Sequence, residues 1–200
     1  MKNTAATLIV AFSLVACSSE TSPAAQNVQA GCATRSYAEI GGPFELVDHR
    51  GEAVTQAAYA DKDALVYFGF TYCPDVCPFT LYGVGRALEQ LPDGVEPPRT
   101  LLVSVDPERD TPEAMAAYIK SSGFPEDIAG LTGEDEAIKA MATSFAASYS
   151  RIEDPDSTAG YTMDHTSILY LMDKDWKLKT FFTHDATPDA IASCLIELSG

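Results

Sequence analysis

Two rhythms of apolar residues run along this chain from about residue 40 onward. Residues 64–70 (Ala-Leu-Val-Tyr-Phe-Gly-Phe) and 100–105 (Thr-Leu-Leu-Val-Ser-Val) are short, nearly unbroken apolar runs, the pattern of strands buried on both faces. Phe44 to Val47, the turn Asp48-His49-Arg50-Gly51 and Ala53 to Thr55 predict a small β-hairpin. Residues 166–172 and 178–183 predict two further strands joined at Asp173-Lys174-Asp175. Between these lie stretches of helical period. Leu81, Val84, Leu88 and Leu91 share one face of a helix over 76–91 that Pro92-Asp93-Gly94 ends, and Ile138, Met141 and Phe145 do the same over 134–147. Thr111-Pro112-Glu113 and Thr187-Pro188 are helix starts, each a capping hydroxyl followed by a proline that suits the first turn. These two helices run to about Gly123 and Ser199. Asp106 and Asp110 read as turn-shaping and capping carboxylates.

The predicted order is hairpin, β-α-β-α, an extra helix, then β-β-α. Strands alternating with helices require a partly parallel sheet, and the final hairpin supplies an antiparallel part. This is an α/β arrangement: a thioredoxin-like fold with an added N-terminal β-hairpin and a helical insertion.

The ends change the picture of where such a domain sits. Lys2 precedes an apolar stretch, 5–16, too short for the ~20 residues of a spanning helix and suited to a signal peptide. It closes on Leu14-Val15-Ala16-Cys17, a lipobox pattern that makes Cys17 the lipidation site. Residues 1–16 read as a lipoprotein signal, 17–30 as a small, polar, lipid-anchored tether and 31–200 as one domain. The expected location is the periplasmic side of a bacterial membrane, the inner one favoured, with the acyl chains as the attachment. A formal charge of −16 excludes nucleic acid as a partner, because a polyanion demands basic patches.

Candidate chemistry concentrates in Cys73-Pro74-Asp75-Val76-Cys77-Pro78, at the carboxyl end of the first buried strand and the opening of a helix. Two cysteines four apart there lie on one helical face, and the helix N-terminus favours their thiolates. Thiolates are soft ligands that suit Cu(I) or zinc, and a pair of them needs a third donor. Of three histidines, His49 falls in the hairpin turn and His184 in a polar segment, both read as exposed. His165, just before the strand that flanks the cysteine loop in this fold, is placed to reach it or simply to hydrogen-bond at a loop end. Asp75 and Asp164 sit beside these residues and either orient the histidine or serve as ordinary loop carboxylates. Met163 reads as packing. Cys32 and Cys194, one at each end of the domain, form a disulfide in an oxidising compartment or remain two buried thiols.

The cysteine segment after Phe68-Gly69-Phe70-Thr71-Tyr72, the run Val105-Asp106-Pro107-Glu108-Arg109-Asp110-Thr111-Pro112, the triplet Asp164-His165-Thr166 and the start Ile40-Gly41-Gly42-Pro43-Phe44 occur in one order. As a set they resemble the Sco/SenC family of copper-binding proteins over residues 40–198 or so. The resemblance implies one copper per chain, Cu(I) or Cu(II), held by Cys73, Cys77 and His165. It also implies a metallochaperone rather than an enzyme, serving the dinuclear copper site of cytochrome c oxidase or another copper protein. The main alternative is a thiol–disulfide oxidoreductase using Cys73 and Cys77. Against that as the sole role, three residues separate the cysteines where thioredoxin motifs have two, and no proline lies between Pro155 and Pro188 to face them. A peroxiredoxin expects one nucleophilic cysteine, and a structural zinc site closes four ligands.

Overall fold

The computed structural model describes Cys32 and residues 40–199. The expected signal peptide (1–16), the lipidation site expected at Cys17 and the expected tether (17–30) lie outside the described residues. The elements are β1 (Glu45–Asp48), β2 (Ala53–Thr55), a short 3-10 turn (Gln56–Tyr59), β3 (Ala64–Gly69), α1 (Val76–Leu88), β4 (Arg99–Ser104), α2 (Pro112–Tyr118) and β5 (Ile128–Thr132). Then follow α3 (Asp135–Ser144), β6 (Tyr149–Glu153), β7 (Tyr161–His165), β8 (Ile168–Met172), β9 (Leu178–Thr183) and α4 (Pro188–Leu198). Seven strands make one mixed sheet in the order β2-β1-β5-β4-β3-β8-β9. Its centre, β5-β4-β3, is parallel, and β8 runs antiparallel to β3. This is a thioredoxin-like fold with an N-terminal hairpin, β1-β2, extending the sheet beyond β5.

All six residues of β3 are buried, which explains why its sequence shows no alternation. Phe68 meets Phe145 and Tyr170 at ring separations of 5.5 and 6.3 Å, both edge-on, so the sheet centre and the end of α3 share one aromatic core. Gly85 of α1 is required by contact: a Cβ there would stand 2.2 Å from the Gly123 carbonyl oxygen. Thr111 and Thr187 cap their helices by accepting from Ala114 N and Ala190 N, as their sequence predicts. No helix among the described residues is long and apolar enough to cross a membrane.

Three expectations are corrected. The segment before α3, where no strand was predicted, holds β5. Residues 149–165 form a separate two-stranded ribbon, β6-β7, which none of the predicted elements covered. His49 is half-buried rather than exposed, because its Nδ1 accepts from the Gly130 backbone N–H at 3.3 Å and ties the β1-β2 turn to β5.

Candidate metal centre

Chain direction places the first donors. β3 ends at Gly69, and Phe70, Thr71 and Tyr72 lead outward to Cys73 before α1 begins at Val76. Asp110 pins this turn: its buried carboxylate accepts from Thr71 N at 3.1 Å, Thr71 Oγ1 at 2.6 Å and Ser104 Oγ at 2.7 Å. Burial still raises the Asp110 carboxyl above the usual range, against the hydrogen bonds that lower it. Cys77 is the second residue of α1 and fully buried, whereas Cys73 is half-buried. Gly69 makes room for it, since a Cβ on Gly69 would lie 3.0 Å from the Cys77 sulfur.

The third donor arrives from 88 residues away. β7 delivers His165 so that Nε2 stands 3.4 Å from the Cys77 sulfur. Its Nδ1 faces the Thr166 carbonyl at 3.3 Å. A carbonyl only accepts, so Nδ1 is the donor there and Nε2 is the ring atom left to face the Cys77 sulfur. The ring is held edge-on by Phe70 and Tyr67, at 5.8 and 6.0 Å. The ligand atoms of Cys73, Cys77 and His165 all lie within 4.8 Å of one another, the one such group of His, Cys, Asp or Glu among the described residues. His49 and His184 are elsewhere, the latter exposed.

The two thiols behave as a pair. The Cys77 thiol beside it, then His165 and the backbone N–H groups of Cys77 and Asp75, hold the Cys73 thiol down to about 4 against the opposing push of burial. Cys77 N–H donates to the Cys73 sulfur at 3.3 Å, the helix N-terminus acting on a thiolate. Cys77 itself is pushed up, by the Cys73 sulfur and by burial. The pair therefore holds one proton between them at neutral pH. Two sulfurs and one imidazole nitrogen form a soft, low-coordinate donor set with an open side toward solvent, which fits Cu(I) and leaves room for a further ligand on Cu(II).

The carboxylates expected near the site do not orient the histidine. Asp164 is exposed, and Asp75 stands at the start of α1 without a capping side-chain bond; the Thr166 carbonyl takes that role. Met163 packs against the core edge. A residue passed over in the sequence links the two halves of the site. The Arg109 guanidinium lies 4.5 Å from the Tyr72 ring, next to Cys73, and 3.6 Å from the ring of Tyr161, which begins the strand ending in His165. Its Nε donates to buried Asp106 at 2.5 Å and its Nη1 to the Tyr161 carbonyl at 3.0 Å, while Tyr161 Oη donates to Asp106 at 2.8 Å. The signal was present in Asp106-Pro107-Glu108-Arg109-Asp110, where an acid–base cluster is denser than a turn and a helix cap require. At the domain's ends, Cys32 and Cys194 are disulfide-bonded, with Cα atoms 4.9 Å apart.

The SCO1/SenC family model matches residues 33–199. The chain belongs to the SCO1/SenC family. A SCO2-like protein of Rickettsia prowazekii is 36% identical over 153 residues, spanning 76% of this chain and 74% of that protein. The human mitochondrial SCO1 homologue is 37% identical over 161 residues, 78% of this chain. This chain spans about half the length of that mitochondrial relative, 52%. Among solved structures, Arabidopsis thaliana ScoI with copper bound superposes with a TM-score of 0.74 at 34% identity, covering 79% of this chain and 96% of that one. Bradyrhizobium japonicum ScoI with copper bound gives 0.68 at 38%, covering 79% and 98%.

Proposed function

We propose that this Sco protein is a copper chaperone, anchored by lipid on Cys17 and facing the periplasm. It holds one copper through Cys73, Cys77 and His165 and delivers it to, or prepares, the dinuclear copper site of cytochrome c oxidase. The observation that carries this reading is the convergence of two sulfurs and one imidazole nitrogen within 4.8 Å. The copper-bound ScoI structures of Arabidopsis thaliana and Bradyrhizobium japonicum support copper as the ion.

The donors are unequal in a way that suits cargo. Cys77 is fully buried and anchors the ion, whereas Cys73 and His165 are half-buried on the open side, where a client's ligands arrive. Exchange then proceeds ligand by ligand without releasing a free ion. The rings of Tyr72 and Phe79, next to Cys73 and two residues after Cys77, are 57% and 65% accessible and offer the client an apolar contact.

Anaerobic titration of the reduced, detergent-solubilised chain tests the reading. One equivalent of copper should bind, and the Cu(II) form should show sulfur-to-metal charge-transfer bands that collapse in His165→Ala. His49→Ala and His184→Ala should leave both unchanged. Absence of tight copper binding beside a readily cycled Cys73–Cys77 disulfide would replace copper delivery with thiol exchange.

A further inference from the structure

Directly beneath the Cys77 sulfur the structure leaves two hydroxyls without partners. Tyr67, in the middle of β3, is fully buried, and its Oη makes no hydrogen bond; neither does the buried Oγ1 of Thr80, one turn beyond Cys77 on α1. They are neighbours of each other and of the sulfur: the Tyr67 hydroxyl lies near Cys77, Thr80 and Ser167 without the geometry of a hydrogen bond to any of them. An ideal Cβ on Gly69 would touch the Cys77 sulfur at 3.0 Å and the Tyr67 ring at 3.1 Å, which places ring and sulfur around one point on the same face of β3. The Tyr67 ring also meets the His165 ring edge-on at 6.0 Å, so it contacts two of the three donors.

A buried hydroxyl without a partner loses its hydration and gains nothing in return, so such groups are rare and call for an occupant. A neutral thiol is a weak acceptor and leaves such a hydroxyl unsatisfied. Once that sulfur is a metal-bound thiolate it becomes a charged acceptor, and a donor at this position is satisfied. A hydrogen bond to a ligating thiolate withdraws electron density from the sulfur, weakens its donation to the ion and favours the lower metal charge.

We propose that Tyr67 is a positioning residue of the copper centre that acts through Cys77: its hydroxyl, backed by Thr80, donates to the metal-bound Cys77 sulfur and biases the site toward Cu(I). The inference rests on the copper reading above and adds to it the group that sets the ion's preferred charge. Thr80 donates to Tyr67 and Tyr67 to the sulfur, so both hydroxyls without partners are used by one event.

Tyr67→Phe and Thr80→Val, made in the full chain in detergent, remove one hydroxyl each and keep the side chain's shape. In the metal-free protein both should melt no lower than the wild type, because the hydroxyl removed had no partner. In Tyr67→Phe the Cu(II) charge-transfer band should move to longer wavelength. The ratio of Cu(I) to Cu(II) affinities, each from chelator competition, should fall about three- to tenfold, a fraction of a charged hydrogen bond's full effect. Thr80→Val should shift the ratio the same way by less. An unchanged band and ratio in Tyr67→Phe would overturn the inference and leave copper binding standing. So would a metal-free Tyr67→Phe protein that melts clearly lower, since the hydroxyl would then be satisfied without the thiolate. A wild-type chain with no charge-transfer band would overturn the copper reading and this inference together.

Discussion

Arg109 offers the sharpest test of how the site is assembled. Its side chain is 13% exposed and the carboxylate it meets, Asp106, 3%. Replacing it by leucine leaves that carboxylate buried with the Tyr161 hydroxyl as its remaining side-chain donor, a change that costs about 3–5 kcal/mol for a buried ion pair broken on one side. The stacking against Tyr161 and Tyr72 is lost in the same step and is part of that figure rather than an addition to it. For a domain of this size about 2–4 °C accompanies each kcal/mol, so Arg109→Leu should melt roughly 6–20 °C lower in the metal-free state. Arg109→Lys keeps the charge but not the planar fork and should fall between the two. Urea unfolding of Arg109→Leu, Asp106→Asn and the double variant measures the coupling, expected at about 1–3 kcal/mol because the residues share one network. Copper affinity should fall about ten- to a hundredfold in Arg109→Leu although Arg109 touches no ligand, the effect expected of outer-sphere support. Melting within about 2 °C of the wild type, or costs that simply add, would refute the clamp.

The remaining predictions concern protons and the ends of the domain. Because Cys73 is held down to about 4 and Cys77 is pushed up, copper should displace one proton from the thiols above about pH 5. Affinity should therefore rise about tenfold per pH unit, and a slope of two in chelator competition would contradict the shared proton. Burial pushes the Asp48 carboxyl up, but the Glu52 N–H and then Arg50 outweigh it and hold it below the usual range. That stability is present above the ordinary carboxylate value, about 3.9, and is lost as pH falls through the lower folded value, so Asp48→Ala should flatten the acid arm of a melting-temperature profile. An unchanged acid arm would show that the carboxylate does not matter there. The Cys32–Cys194 disulfide closes a separation of 162 residues, worth up to about 5 kcal/mol of unfolded-chain entropy. Cys32→Ser should melt well below the wild type, and alkylation before reduction should label Cys73 and Cys77 but neither Cys32 nor Cys194.

Sequence alone revealed what depends on local order. The apolar runs gave β3 and β4, the threonine–proline pairs gave the starts of α2 and α4, and Cys73 and Cys77 shared a helical face by spacing alone. β5 was hidden because Ile128-Ala129-Gly130-Leu131-Thr132 carries a glycine at its centre, where Met115 of α2 packs within 3.0 Å of where a Cβ would be. The glycine that reads as a break is the one that lets a helix lie against the strand. The two alternatives left open for Cys32 and Cys194 differ only in a distance between chain ends, which no local pattern encodes.

His165 shows why position along the chain was not enough. On position alone it could reach the cysteines or hydrogen-bond at a loop end, and the ribbon that decides between the two reads poorly because β6 is mostly exposed. β6 is Tyr-Ser-Arg-Ile-Glu, with only its first residue partly covered, so it offers no apolar alternation for one face. What fixes the ribbon is instead polar and long-range: Arg109 and Asp106 at the Tyr161 end, and the Thr166 N–H donating to the Ser148 carbonyl at 2.8 Å at the His165 end. A strand held at both ends by such bonds can place an imidazole 3.4 Å from a buried sulfur although its ribbon partner β6 has no hydrophobic face. It follows that the third donor depends on that polar cluster as well as on the Phe70 and Tyr67 rings, so disturbing Arg109 or Asp106 should loosen His165 before it disturbs the fully buried Cys77.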